Sequence, residues 1–247
     1  MRVVSLAPSN TEILYALGAQ DSIIATTRFC DFPVEAKAKP KISGWTDVDV
    51  SKIKALKPDL VLTSSIVQEN IAKQLRAEGM TVLHVDPRAI GDIGETFLKV
   101  GHAVNCGIAA RELIGKTEDA MKAMAKGANF NKKIYVEEWH QPPTPAANWV
   151  PDMLQLLGCK SVVRSGVPSQ PVSFDNVKAF DPDAIVLSWC GIGTKADANQ
   201  LLQREGWDQL RAVQNNAVFI VDDSLLNRPG PRLVEGLRVL KEIASKC

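Results

Sequence analysis

Glu137-Glu138-Trp139-His140 is the densest group of chemistry-bearing side chains in this sequence. Two carboxylates beside an imidazole could ligate a metal or move a proton. The β-like run Lys133–Val136 puts them at the carboxyl end of a strand, where open α/β sheets bind their ligands. The plainer alternative is a loop with solvated charges. His84 falls in an apolar run and His102 in a helical pattern, so no histidine cluster backs a metal site. Gly115-Lys116-Thr117 ends like a phosphate-binding loop, but Ala110 stands where that motif needs glycine, and the triplet lies inside a helical pattern. Gly191-Ile192-Gly193 lacks the third glycine of a dinucleotide fingerprint and reads as a turn. There is no GxSxG elbow, and no Cys–His or Ser–His–Asp spacing stands out. These patterns assign no catalytic residue and no metal ligand.

The aromatic residues say more. They make up only 6% of the chain, yet several fall in loops that follow strands. Phe29 and Trp45 follow strands of the first half, Trp139 and Trp189 end strands of the second, and Trp149 opens a helix. Core aromatics belong inside the periodic runs, as Phe97 and Phe219 do. Aromatic rings at strand ends would wall a cleft for a large, flat, partly apolar ligand. For any one of them, packing at the edge of a lobe is the alternative.

The elements that would position these rings occur twice. Residues 49–64 read DVSKIKALKPDLVLTS and residues 173–188 read SFDNVKAFDPDAIVLS, with Ile53/Val177, Ala55/Ala179, Pro58/Pro182 and Asp59/Asp183 each 124 positions apart. Two copies are too few for a solenoid and fit two related α/β lobes with a ligand cleft between them. In the first half, β-like runs at 2–6, 23–26, 60–62 and 81–85 alternate with helical patterns, which argues for a parallel sheet. Ser9-Asn10-Thr11-Glu12 has capping-box spacing at the start of the first helix. Apolar residues from Ile93 to Met121 recur at helical spacing up to Gly127, predicting one helix of about 30 residues, or about 45 Å. The second half repeats the plan, with strands at 133–136, 161–163, 184–187 and 217–221 and helices at 150–157, 198–210 and 232–245. The expected fold class is therefore α/β, two Rossmann-like lobes with parallel sheets joined by one long α-helix. The first lobe spans 1–90, the linking helix 91–127 and the second lobe 128–247.

Composition narrows the partners. Lys plus Arg number 29 against 28 Asp plus Glu, so nothing favours nucleic acid or an anionic membrane. No run approaches the roughly 20 apolar residues of a membrane span. The five cysteines are widely spaced without a CxxC, which argues against a disulfide framework. MRVVSLAPSNTE reads as a strand running into a helix. The expectation is either a cytoplasmic protein or one whose export signal lies outside this sequence.

Several blocks resemble the substrate-binding proteins of ABC importers for cobalamin and, less closely, the related iron-siderophore and haem binders. They are RVVSLAPSNTEILYALGA at 2–19, CDFP at 30–33, ISGW at 42–45, ALKPDLVL at 55–62, VSFDNVKAFDPDAIVL at 172–187 and NRPGPRLVEGL at 227–237. The resemblance implies a monomeric, extracytoplasmic vitamin-uptake protein without a cofactor. It would capture a corrinoid (cobalamin or cobinamide) unchanged between its lobes and deliver it to an importer permease. It also implies cleft residues: Phe29 and Trp45 match the family's aromatics, Ser64 and Ser169 stand where the family has aromatics, and Arg232 matches a polar ligand contact. Trp139, Trp149 and Trp189 would stand in for the missing rings. Permease docking would use Asp175 on the second lobe. On the first, Ser51 holds the equivalent position, with Asp47 and Asp49 close by. The alternatives are a haem or ferric-siderophore binder and a two-lobed tetrapyrrole chelatase using Glu137, Glu138 and His140.

Overall fold

The computed structural model describes residues 1–247 and divides into two compact units. One comprises Met1–Pro87 with Gly91–Thr117, the other Arg88–Ile90 with Glu118–Cys247.

In the first unit, strands β1 (Val3–Ser5), β2 (Ile23–Thr27), β3 (Lys41–Ser43), β4 (Leu60–Ser64) and β5 (Val82–Val85) form a parallel sheet in the order β3-β2-β1-β4-β5. Helices α1 (Pro8–Ala16), α2 (Val50–Ala55) and α3 (Glu69–Ala77) connect them. Val4, Leu6, Ala25, Ile53, Val61 and Leu75 form the core. Strand order reverses between β1 and β4, and their carboxyl ends flank the crevice that binds ligands in open α/β sheets.

Helix α1 starts at Pro8, with Ala7 at the cap position and no side-chain cap, so the expected capping box at Ser9 does not form. Proline fits the first helical position because its missing N–H would have no helical partner there. The segment 41–43, outside the β-like runs of the first half, pairs with β2 as an edge strand.

The expected 30-residue helix is instead two helices, α4 (Ile90–Ala103) and α5 (Gly107–Ala125). Asn105 takes φ 61°, its N–H donates to the His102 carbonyl at 3.2 Å, and the Cys106 N–H donates to the Gly101 carbonyl at 2.7 Å. That pair of bonds is a Schellman stop, for which asparagine is the usual substitute for glycine. At this turn α5 comes close to α4, while Ile108 of the expected stripe stays exposed. A β-carbon at Gly101 would lie 2.5 Å from the Ala110 methyl.

The second unit has β6 (Ile134–His140), β7 (Pro143–Pro145), β8 (Ala184–Leu187) and β9 (Val218–Ile220) in the order β7-β6-β8-β9. β6, β8 and β9 are parallel, but β7 is antiparallel, so this sheet is mixed rather than purely parallel. Its proline-rich sequence suits an edge strand, where an absent N–H costs no ladder bond. Residues 161–163 are not a strand; the chain makes only a single bridge, Lys133 to Lys160. Helices α6 (Val150–Leu156), α7 (Phe174–Phe180), α8 (Ala198–Leu202), α9 (Arg211–Gln214), α10 (Asp223–Leu226) and α11 (Leu233–Lys246) complete the unit. The helix expected over 198–210 stops at Leu202, and Trp207–Gln209 forms a separate turn.

The sequence repeat becomes a structural repeat. Asp49 and Ser173 each accept the N–H of the residue three further on, capping α2 and α7. Lys57 and Asp181 then both turn left-handed, with φ of 48° and 49°. Asp59 accepts the Arg2 N–H at 2.7 Å, and Asp183 accepts the Lys133 N–H at 2.8 Å. Each aspartate thus fastens the strand of the motif to its parallel neighbour. Asp59→Ala should cost about 1 kcal/mol, and the better-shielded Asp183→Ala about 2 kcal/mol. Denaturation followed by hydrogen exchange should place each loss in its own unit, and a loss shared equally by both units would contradict this role.

Candidate functional site

In the first unit several apolar residues stand at the carboxyl ends of the strands, interleaved with exposed Arg28, Asp31 and Asp47. Phe29 and Phe32 after β2, and Ile66 and Val67 after β4, are all exposed, and Trp45 after β3 is half-buried. The sequence reading missed Phe32, Ile66 and Val67. The available signal was an Ile-Val pair placed directly after a strand and before the polar start of α3. Ser64 is buried, and its N–H donates to the Gln68 Oε1 at 2.8 Å.

The acidic residues near Trp45 have partners within the chain. Asp47 accepts from both terminal nitrogens of Arg28 at 3.0–3.1 Å, which holds its carboxyl below the usual range. Any side chain at Gly44 would collide with this pair. Asp49 is spent on capping α2, beside Lys52. Asp175 is exposed in the first turn of α7.

In the second unit Glu137 is wholly buried, and its carboxylate takes hydrogen bonds from the Tyr135 hydroxyl (2.9 Å), the Trp189 indole (2.9 Å) and both terminal nitrogens of Arg204 (2.7 and 2.9 Å). Arg204 also donates to the His140 carbonyl at 2.7 Å and lies over the Trp207 ring at 4.7 Å. Burial and the adjacent carboxylate push the Tyr135 hydroxyl far above its ordinary range. A carboxylate with its oxygens taken up in this way is a structural pin, not a metal ligand. No group of three or more His, Cys, Asp or Glu side chains is arranged to hold a metal ion.

Trp139, His140 and Trp189 form a strip of rings, with centroids 5.3 and 4.9 Å apart in turn. Trp139 is the most open to solvent, at 44% exposure, and His140 is half-buried. Trp189 (2%) and Trp149 (7%) are buried, and the Trp149 indole donates to the Leu226 carbonyl at 2.7 Å. Ser169 accepts the Ala147 N–H at 3.0 Å. Arg232, at the start of α11, donates to the Ser224 hydroxyl at 3.1 Å. Gly191 and Gly193 form a turn whose N–H groups donate to Asp223 at 2.9 and 2.7 Å. Gly115-Lys116-Thr117 lies inside α5, where the Thr117 hydroxyl donates back to the Leu113 carbonyl.

Glu138 differs from its neighbour. Burial pushes its carboxyl up to about 7, with a bond to Ser169 pulling the other way. Burial also raises the Cys190 thiol, and the carboxylates of Glu138 and Asp223 add to that. Because the folded pKa of Glu138 lies above the ordinary 4.5, its protonated form contributes stability that is fully present below about 4.5 and lost as pH rises to about 7. Discounted for partial exposure, Glu138→Gln should remove about 2 kcal/mol of this pH dependence. In parallel melts of the two proteins from pH 4.5 to pH 8, a stability difference that stays constant with pH would mean that Glu138 contributes nothing.

Among known proteins, a family model described as periplasmic binding protein matches residues 3–225 of this chain. The chain is 32% identical to the uncharacterized ABC transporter substrate-binding lipoprotein YvrC of Bacillus subtilis, over 98% of its own length and 79% of the relative's. It superposes on the periplasmic vitamin B12 binding protein BtuF of Vibrio cholerae with a TM-score of 0.81 at 25% identity, covering 99% of this chain and 96% of that one. A possible iron-binding periplasmic solute-binding protein of Staphylococcus epidermidis gives a TM-score of 0.81 at 27% identity, with 98% and 97% covered.

Proposed function

This chain belongs to the periplasmic binding protein family of ABC-importer substrate-binding proteins, and we propose that its cargo is a corrinoid. In this reading it works as an extracytoplasmic monomer that binds cobalamin or cobinamide without altering it and passes it to a permease. The observation that carries the reading is the make-up of the strand-end surfaces. Phe29, Phe32, Ile66 and Val67 in one unit and Trp139 in the other offer apolar and aromatic faces. A haem protein supplies its iron with an axial ligand such as His, Cys, Met or Tyr. Of the two tyrosines, Tyr135 is bonded to Glu137, and Tyr15 lies at the far end of α1 beside Asp21 and Glu35. His84 is bonded to Thr63, and His140 has its Nδ1 buried without a partner. A corrinoid brings axial ligands of its own and asks the protein mainly for apolar contact.

Calorimetric titration with cobinamide, cobalamin, haem and a ferric siderophore tests the assignment. A corrinoid should bind with Kd below about 10 μM, or about 7 kcal/mol. Binding of haem or the siderophore with neither corrinoid would overturn the ligand and leave the family intact. For delivery, Asp175→Lys should leave corrinoid affinity unchanged while reducing association with the cognate permease, because rim charges act mainly on encounter. Equal permease association in a pull-down or transport assay would remove Asp175 from the docking surface.

A further inference from the structure

Gln68 is wholly buried, and its amide spans the point where the strand order of the first sheet reverses. Its Oε1 accepts the Ser64 N–H at 2.8 Å, and its Nε2 donates to the Leu6 carbonyl at 2.8 Å and the Trp45 carbonyl at 2.7 Å. One side chain therefore fastens the end of β1, the end of β4 and the loop carrying Trp45. That loop is also held by the Arg28–Asp47 pair packed across Gly44.

Beside Gln68, Ser65 adopts φ 71° and ψ 150°, a region that is costly for any residue with a β-carbon. Such strain persists only where the surroundings over-determine it. Here the Ser65 N–H donates to the Val85 carbonyl at 2.8 Å, its hydroxyl accepts the Val67 N–H at 3.2 Å, and the Ile66 N–H donates to Asp86 at 3.1 Å. The outcome is that Ile66 and Val67 are 51% and 48% exposed on a fixed backbone. Neither feature aids folding: the strain opposes it, and the two exposed side chains bury little in the free protein. Both make sense if the surface is completed by a ligand, and it sits where open α/β sheets bind theirs.

We propose that Gln68 and Ser65 are positioning residues that hold Trp45, Ile66 and Val67 as a rigid apolar platform for the flat face of a macrocyclic ligand. The identity of the macrocycle rests on the corrinoid reading, whereas the platform rests on the geometry of this unit alone. Pre-organisation of this kind strengthens binding by removing the ordering cost at the moment of capture.

The test compares the full chain with Ser65→Gly and Gln68→Met, using cobinamide as probe. Ser65→Gly relieves the strain, so its melting temperature should hold or rise, while cobinamide affinity falls about fivefold as the segment gains freedom. A purely structural serine would leave affinity unchanged, and that result overturns the proposal. Gln68→Met keeps the length of the side chain but loses all three bonds. Hydrogen exchange at the Ser64 amide should accelerate in the free protein, and affinity should fall about tenfold. Unaltered exchange at Ser64 together with unaltered affinity also overturns it. If Gln68→Met does not fold, Ser65→Gly decides alone. Failure of the wild type to bind cobinamide while binding haem would sink only the corrinoid reading, and the same variants would then be compared with haem.

Discussion

Arg204→Met should cost the second unit about 3–5 kcal/mol of folding stability, because it strands a buried carboxylate. Glu137 has no exposure of its own, and Arg204 supplies two of its hydrogen bonds and all of its compensating charge. The Tyr135 hydroxyl and Trp189 indole that remain cannot neutralise it. The stranded carboxyl should take up a proton instead. The loss should therefore be smallest at low pH, where the stranded carboxyl is neutral, and grow as pH rises. Glu137→Gln combined with Arg204→Met should be less damaging than the sum of the single changes, since contacting charges couple by about 0.5–3 kcal/mol. Urea denaturation followed by circular dichroism at pH 5 and pH 8 measures all three. A loss below about 1 kcal/mol at pH 8 would mean that water reaches Glu137 and that the pair is no pin.

The same pair shows why the chemistry of this region could not be read from the sequence. Glu137 and Glu138 are neighbours within β6, and strand geometry turns their side chains to opposite faces. One meets an arginine 67 positions away, and the other remains the group that titrates near neutrality. Nothing local marks Arg204 as a partner, and it lies in a stretch whose pattern suggested helix. By contrast, the duplication and the strand that closes each copy were legible. Its proline, its aspartate and the apolar run after them each impose local geometry, and the capped helix, the left-handed turn and the fastened strand recur in both units.

The misread elements share a cause. Apolar residues recur at helical spacing on both sides of Asn105, although Ile108 beyond it is 74% exposed, so only the left-handed asparagine marks the break. The edge strands β3 and β7 are short and rich in lysine or proline, and such segments are defined by the neighbour they pair with rather than by their own pattern. On the candidate surface, Trp45 was visible as an aromatic in a loop. Gln68 and Ser65 were not, because a buried amide and a strained serine have no compositional signature.

The aromatic strip of the second unit gives the other large effect, and here two neighbouring tryptophans should behave in opposite ways. Trp189→Ala should cost about 3–5 kcal/mol of stability, the range for deleting a large buried ring. Trp189 is 2% exposed, packs on His140 at 4.9 Å and donates its indole N–H to Glu137, so the substitution also opens a cavity beside the buried ion pair. Trp139 is 44% exposed, and its indole donates only to the Gln141 carbonyl two residues on. Trp139→Ala should therefore change stability by about 0.5 kcal/mol or less. If it meets the ligand, it should cost about 1–3 kcal/mol of binding, the scale of a contact anchor. Thermal melts and calorimetry on the two variants separate ring-as-core from ring-as-contact. A Trp189→Ala protein that melts like the wild type would deny Trp189 its place in the core. A stable Trp139→Ala protein with unchanged affinity would leave the strip a packing feature and the ligand elsewhere.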